Sequence, residues 1–308
     1  MLPQTENRIV LVTRRTRLED LVARFNTLTQ ARFYVEHLGA DFTDYQQEDD
    51  HYLEALRASE RILAYHGRVH VVNRNFLPNY VFGKNDVVVA LGQDGLVANT
   101  IKYLGLQPLI GVNPDRKRWD GVLLPFAVSD LEKLIPEVFA KKRPIKEVTM
   151  AKAELNNGQV LYAVNDFFIG ARSHISARYQ IQLDNQEERH SSSGIIVSTG
   201  LGSTGWLKSV LAGAQIIAGN TNAKRLASKP MPWHAPYLVF SVREPFPSQT
   251  TSATLVYGHI SKTPLKVTSQ MSENGVVFSD GIEQDFLEFN AGTSVSVAVA
   301  ERKGMLVF

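Results

Sequence analysis

The chain has 308 residues, 44% of them hydrophobic, and a formal net charge of +2. That length exceeds one simple core and suits about two domains. The near-balanced charge argues against a nucleic-acid or membrane surface, and the absence of cysteine excludes disulfides, thiolate catalysis and thiolate metal sites.

Other classes fall away on pattern. The eight histidines are scattered and show no metal-ligand spacing, so no side-chain metal site is assigned. No apolar stretch reaches the length of a membrane span. The first strand starts at Arg8 with no signal or transit pattern ahead of it, so the expectation is a soluble, cytoplasmic protein.

In chain order, Ile9–Thr13 reads as a strand and Leu18–Leu38 as a helix that ends at Gly39. A second helix is predicted over Tyr52–Tyr65, closed by Gly67, followed by a short strand at Val69–Val72. Asp86–Leu91 is an apolar run bounded by turn residues, the pattern of a strand buried on both faces. A helix over 96–104, a strand at Pro108–Val112 and a helix over Val128–Lys141 complete an alternating series. Strand-helix alternation predicts a parallel sheet covered by helices. Lys141-Lys142-Arg143-Pro144 marks a junction, giving domains at 1–143 and 144–308, with the C-terminal tail free to return to the first.

Beyond residue 145 the texture becomes short runs of Val, Ile, Tyr, Phe and Thr between turn residues. Strands are predicted at Lys146–Glu154, Val160–Val164, Ala177–Leu183, Gly194–Ser198, Tyr237–Val242, Pro264–Thr268, Gly275–Ser279 and Ser294–Ala298. These describe an antiparallel β domain. One helix interrupts it from Thr204 to about Gly219, and 219–236 reads as a long loop carrying Lys224, Arg225 and Lys229.

Four segments carry chemistry. In Leu91-Gly92-Gln93-Asp94-Gly95-Leu96 a buried strand ends in two glycines that bracket an acid. Glycine there lets a ligand lie against backbone. Asp94 sits at the carboxyl end of a strand, where open α/β sheets bind ligands, and the next helix presents free N–H groups to anions. An acid beside an anion site suits phosphoryl transfer to a hydroxyl; the plain alternative is a tight turn with a solvated Asp. In Thr199-Gly200-Leu201-Gly202-Ser203-Thr204 small hydroxyl residues offer donors to a phosphate or ribose, or simply an N-cap. The loop Asn113-Pro114-Asp115-Arg116-Lys117-Arg118 opens on the same sheet edge as Asp94. Its cations suit a polyphosphate, although Arg116 and Lys117 read better as solvated. The Asn165-Asp166 pair suits a sugar's hydroxyls, or an ordinary turn.

Taken together, these segments resemble the NAD kinase family, in which strand-Gly-Gly-Asp-Gly-Thr, Gly-Val-Asn, Asn-Glu and Thr-x-x-Gly-Ser-Thr recur in this order. The likeness is strongest to the mitochondrial-type branch. It runs through Thr16-Arg17-x-Glu19, Asp115…Arg118…Gly121, Phe168-Ile169-Gly170 and Ser192-Ser193-Gly194. It continues in Trp206, Ser241-Val242-Arg243-Glu244-Pro245 and Asp280-Gly281. The resemblance implies an N-terminal Rossmann-like α/β domain, a C-terminal antiparallel β domain and a nucleotide site in the cleft between them. It implies an enzyme moving a phosphoryl group from ATP, with Mg²⁺, to the 2′-hydroxyl of the adenosine ribose of NAD, giving NADP. It also implies a homo-oligomer, a dimer by preference, with small nucleotides as its ligands.

Carried over by position, Asp94 is the catalytic acid beside that hydroxyl. Gly92, Gly95, Asn113, Asp115 and Arg118 contribute to nucleotide binding, Asn165 and Asp166 hold ribose, and Thr199, Gly200, Gly202, Ser203 and Thr204 form the second loop. Arg17 and Asp280 are further candidates. Three positions depart from the family pattern. Gln93 stands at the second glycine, placing a side chain where bare backbone is expected and restricting φ > 0. Leu96 removes the closing hydroxyl, and Asp166 is shorter than the family Glu. These departures motivate two rivals: a catalytically silent nucleotide-binding protein, and a kinase for another hydroxyl such as a sugar or lipid.

Overall fold

The computed structural model describes residues 7–219, 230–282 and 285–308. Lys224, Arg225 and Lys229 of the expected loop lie outside the described residues. The chain divides into two compact units, Met1–Lys146 with Met305–Phe308, and Glu147–Gly304.

The first unit is built on parallel strands. β1 (Arg8–Thr13) pairs in parallel with β2 (Arg68–Asn73) and with β3 (Val87–Leu91). β3 pairs in parallel with β4 (Pro108–Val112), and Met305 and Leu306 pair in parallel with Pro108 and Leu109. Every residue of β3 is buried, as expected where helices cover a parallel sheet. Ile9, Leu11, Val89 and Ile110 pack with Leu63, Leu134 and Ile135 in one apolar cluster.

The helices correct several expected boundaries. The single helix over Leu18–Leu38 is two, α1 (Arg17–Phe25) and α2 (Leu28–His37). Asn26 ends α1 with φ at +65°, a conformation Asn tolerates, and Thr27 starts α2 by accepting the Gln30 N–H. The helix expected from Tyr52 begins ten residues earlier as α3 (Phe42–Ala64), capped by Asp41. Its first turns are so polar that the apolar period starts late. α4 (Asp94–Ile101) opens on Asp94 itself, and α5 (Leu131–Phe139) follows a short 3₁₀ turn at Val128–Asp130.

The second unit contains β5 (Ile145–Leu155), β6 (Val160–Ala163), β7 (Asp166–Ala171), β8 (Ala177–Leu183), β9 (Gln186–Ser192) and β10 (Ile195–Ser198). After α6 (Trp206–Ile217) come β11 (Leu238–Val242), β12 (Tyr257–Ile260), β13 (Leu265–Ser269), β14 (Gly275–Ser279), β15 (Phe286–Glu288) and β16 (Ser294–Val307). One antiparallel sheet runs β12-β11-β10-β7-β14-β15; in the other, β16, β13, β8 and β9 follow in order, with β5 on β16 and β6 on β5. Inward side chains of both, including Phe167, Ile169, Tyr179, Val197, Phe240 and Val267, share one core, the packing of a β sandwich.

Four of these strands are absent from the sequence reading. β9 (QEERHSS) buries only His190 and Ser192 and lies at a sheet edge. β7 is buried at every position, so it shows no alternation, and its Asn-Asp start mimics a turn. β12 and β15 are short. β16 is longer than expected, running to Val307.

Candidate active site

In the first unit, the turn after β3 is set by its neighbours. Gly92 donates its N–H to the Val112 carbonyl (3.1 Å), joining the carboxyl ends of β3 and β4. A side chain at 92 would press on a Leu96 methyl (2.9 Å) and approach Arg14. Gln93 precedes α4 with φ −122° and ψ 163°. That is extended backbone open to any residue, so the expected conflict with φ > 0 does not arise. At Gly95 an added Cβ would meet nothing within 4 Å; only open space borders it.

Asp94 heads α4, and its carboxylate accepts the N–H of Leu123 (2.8 Å) and of Val122 (3.3 Å). That segment is seated by Gly111, where a Cβ would fall 1.9 Å from the Leu123 carbonyl oxygen. The acid is therefore fixed by backbone donors on one side. Two carboxylate oxygens accept about four hydrogen bonds, so capacity remains for a hydroxyl.

Asn113 spends its polar groups within the loop. Its N–H goes to Phe126 O (2.8 Å), its Nδ2 to Trp119 O (2.9 Å), and its Oδ1 accepts from Asp115 N (3.0 Å). With 3% exposure it shapes the loop from within. Asp115 takes the Lys117 N–H and faces His51. Burial opposes its charge, but the Lys117 N–H, His51 and Arg118 bring its carboxyl below the usual range. Arg118 and Arg17 both bond Asp44 at 2.7 Å; the Arg118 bond first, then that of Arg17, holds the Asp44 carboxyl down at about 2. Thr16 and Glu19 form a reciprocal capping box that starts α1.

Behind the turn lies a buried polar group that the sequence reading missed. Tyr52 Oη accepts the Arg14 N–H (3.0 Å) and donates to Leu91 O (3.1 Å). Burial pushes its hydroxyl up to about 12. Arg14 pairs with Glu48 at 2.6 Å, both almost fully buried. Asp44, Glu48 and Tyr52 stand at four-residue spacing on α3, one helical face turned to the ends of β1 and β3. The spacing was legible once the helix start was placed.

In the second unit the loop after β10 is closely packed. Thr199 is fully buried; its hydroxyl donates to Val164 O (2.5 Å) and accepts the Gly202 N–H (3.2 Å). Ser203 Oγ donates to Gly200 O (2.8 Å) and accepts from Met231 N (3.0 Å). Both hydroxyls expected to meet a ligand also hold the loop closed. Gly200 and Gly202 are required by backbone approach, since a Cβ would fall 1.9 Å from Pro232 O and 2.1 Å from Asn165 O. Thr204 is exposed and lies where α6 begins without a side-chain cap.

Asn165 is gripped by its backbone: its N–H donates to Asp280 Oδ1 (2.6 Å) and its carbonyl accepts from Thr199 N (2.9 Å). Asp280 also accepts the Val164 N–H (3.0 Å) and, at 3.4 Å, that of Asp166. Asp166 is 8% exposed. Burial first, then the charge of Asp280, pushes its carboxyl up to about 7.

The remaining recurrent residues converge on one ring. Trp206 stacks on Phe168 (5.8 Å between centroids), Phe278 also stacks on Phe168 (5.0 Å), and the Arg243 guanidinium lies 5.5 Å from Trp206. Gly170 and Gly194 leave room for that ring, with Cβ positions 2.8 and 2.6 Å from its carbons. Gly194 also has φ +101°, a conformation that favours glycine.

No family model matches the chain. It is 29% identical over 211 residues to an NAD kinase of Clostridium tetani, covering 66% of this chain and 68% of that one. An NAD kinase of Chlorobium phaeobacteroides is 30% identical over 143 residues, covering 44% and 48%. Among solved structures, yeast NADH kinase complexed with NADH aligns over 99% of this chain and 84% of its own, with TM-score 0.57 and 16% identity. An Archaeoglobus fulgidus NAD kinase in complex with ATP aligns over 98% and 93%, with TM-score 0.56 and 16% identity. The chain is thus similar in sequence to curated NAD kinases and shares its fold with the two solved structures.

Proposed function

We propose that this chain is an NAD kinase that moves a phosphoryl group from ATP to the 2′-hydroxyl of the adenosine ribose of NAD. The observation that carries the reading is Asp94, fixed at the start of α4 by two backbone N–H groups with open space at the adjoining Gly95. A free ribose hydroxyl is a weak nucleophile, and a placed carboxylate that accepts its hydrogen bond contributes roughly 10²–10⁴-fold. The remaining demand is positioning and charge neutralisation. The α4 N-terminus offers N–H groups to a donor phosphate, while Asn165 and Asp166 receive ribose hydroxyls.

Mg²⁺ would accompany the donor phosphates. Among the described residues no group of three His, Asp or Glu side chains is placed to hold a metal, and Asp44 and Glu48 are engaged by arginines. The ion would therefore rest on phosphate oxygens and water. The mitochondrial-type branch is the closer fit, on Phe168-Ile169-Gly170, Gly194, Trp206 and Arg243 gathering at one ring. A homodimer and a cytoplasmic setting complete the proposal; no helix among the described residues is long and apolar enough to cross a membrane.

The test is NADP formation from NAD, ATP and Mg²⁺ by purified protein, with Asp94→Asn beside it. Product from the native chain and none from the variant supports the reading. NAD binding with no product from the native chain selects the silent rival, which the buried Leu96 in place of a hydroxyl favours.

A further inference from the structure

We infer that the ribose-binding carboxyl of this chain, Asp166, gives up a proton when a vicinal diol binds, so that NAD binding is coupled to proton release. The inference rests on the proposed NAD site and deepens it.

It starts from two acids with unequal surroundings. Asp280 takes the N–H groups of Val164 and Asn165, and more distantly that of Asp166. Hydrogen bonds to a carboxylate favour its charged form. Asp166 is the opposite case. It begins β7, is 8% exposed, and its side chain makes no hydrogen bond among the described residues. Its backbone N–H and carbonyl both reach Asp280, through Asp280 Oδ1 at 3.4 Å and the Asp280 N–H at 2.9 Å.

Among the described residues, no cation is a cause acting on Asp166. β10 places Ser198 opposite Asp166, and β14 ends in Ser279, whose hydroxyl donates to Asp285. The charge acting on Asp166 is that of Asp280, which disfavours its ionisation, and burial adds to the same effect. Burial and the Asp280 charge thus both favour the protonated carboxyl in the free chain.

A vicinal diol changes this balance. Its two hydroxyls donate to the two oxygens of a carboxylate, the partners that Asp166 lacks. Donors to the charged form lower the pKa, and the displaced proton leaves to the buffer. A protonated acid offers one acceptor oxygen fewer and binds the pair less well. The family Glu is one methylene longer; Asp166 keeps its carboxyl nearer the strand and Asp280, where that charge weighs on it.

Isothermal calorimetry of NAD into the full chain tests this, because NAD carries no group that titrates near neutrality. Titrations at about pH 7 in buffers of low and high ionisation enthalpy give the proton count. The expected result is release of roughly half a proton per NAD, with affinity falling about 10-fold from about pH 8 to about pH 6. Asp166→Asn should bind with no buffer dependence and a flat pH profile. Binding by the native chain with no proton exchanged, or with uptake, overturns the inference while leaving the NAD site intact. Absence of any NAD binding overturns the site and the inference together.

Discussion

Replacing Asp166 by Asn should stabilise the fold more at high pH than at low pH. The native carboxyl is raised from 3.8 to about 7. For an acid whose folded value lies above its unfolded one, the favourable contribution is complete below the unfolded value. It is lost as pH rises through the folded value. A shift of about three units corresponds to roughly 4 kcal/mol in full, and burial leaves little solvent to screen it. Between about pH 5 and about pH 8 the native chain should lose roughly 2–3 kcal/mol of that sum, whereas Asn, without a titrating group, loses none. The assay is urea unfolding of both proteins at the two pH values, followed by tryptophan fluorescence and read as the difference between variant and native. A gap that widens by that amount toward high pH is expected. An equal gap at both would mean that Asp166 is ordinary in the folded state, and the reasoning from burial and Asp280 would be refuted.

Three further outcomes are expected. Gly95→Ala meets no atom within 4 Å and lies inside α4, so thermal unfolding should hold or rise slightly. A fall in NADP formation without loss of stability would show that a ligand lies against that backbone, and unchanged kinetics would show that none does. Gly202→Ala drives a methyl against Asn165 O and should cost about 1–3 kcal/mol or more, whereas Gly213→Ala in α6, with nothing near it, should be neutral or stabilising; equal melting temperatures would contradict the tight loop. Glu188 opposes its own burial with hydrogen bonds from Thr254, His190 and Leu255, and its carboxyl sits at about 2. The stability it provides is present above its unfolded value of 4.5 and fades as pH falls toward 2. Glu188→Gln should therefore destabilise at neutral pH and less in acid, as read by urea midpoints across that range.

Much of the first unit was legible because its signals are local. An apolar run such as Val87–Leu91, ending at Gly92, announces a buried strand and the turn after it. The order of strands and helices gave the parallel sheet. What escaped was set by tertiary partners. α3 begins at Phe42 because Asp41 caps it, and its polar face, Asp44, Glu48 and Tyr52, is buried against Arg17, Arg14 and Leu91. A period of apolar residues does not register a polar face that finds partners.

Thr199 and Ser203 suit a ligand or a cap by sequence, and in the structure both hydroxyls bond within the loop. A Gly-Ser-Thr segment signals close approach, but the approaching group here is the chain's own backbone at Asn165 and Pro232. Conversely, the doubt over Gln93 dissolved at an extended φ. Asp94 and the Asn165-Asp166 pair stand out in the sequence as polar residues set against apolar runs. Their surroundings are set in three dimensions: backbone donors from Val122 and Leu123 hold the first, and Asp280 presses on the last.

The most direct measurement is the rate of NADP formation by native protein and by Asp94→Asn, with thermal unfolding run beside it. NADP accumulating only with the native side chain, at comparable melting temperatures, is the predicted result. Equal turnover by the two folded proteins would contradict it, because the acid that heads α4 would then stand apart from the chemistry.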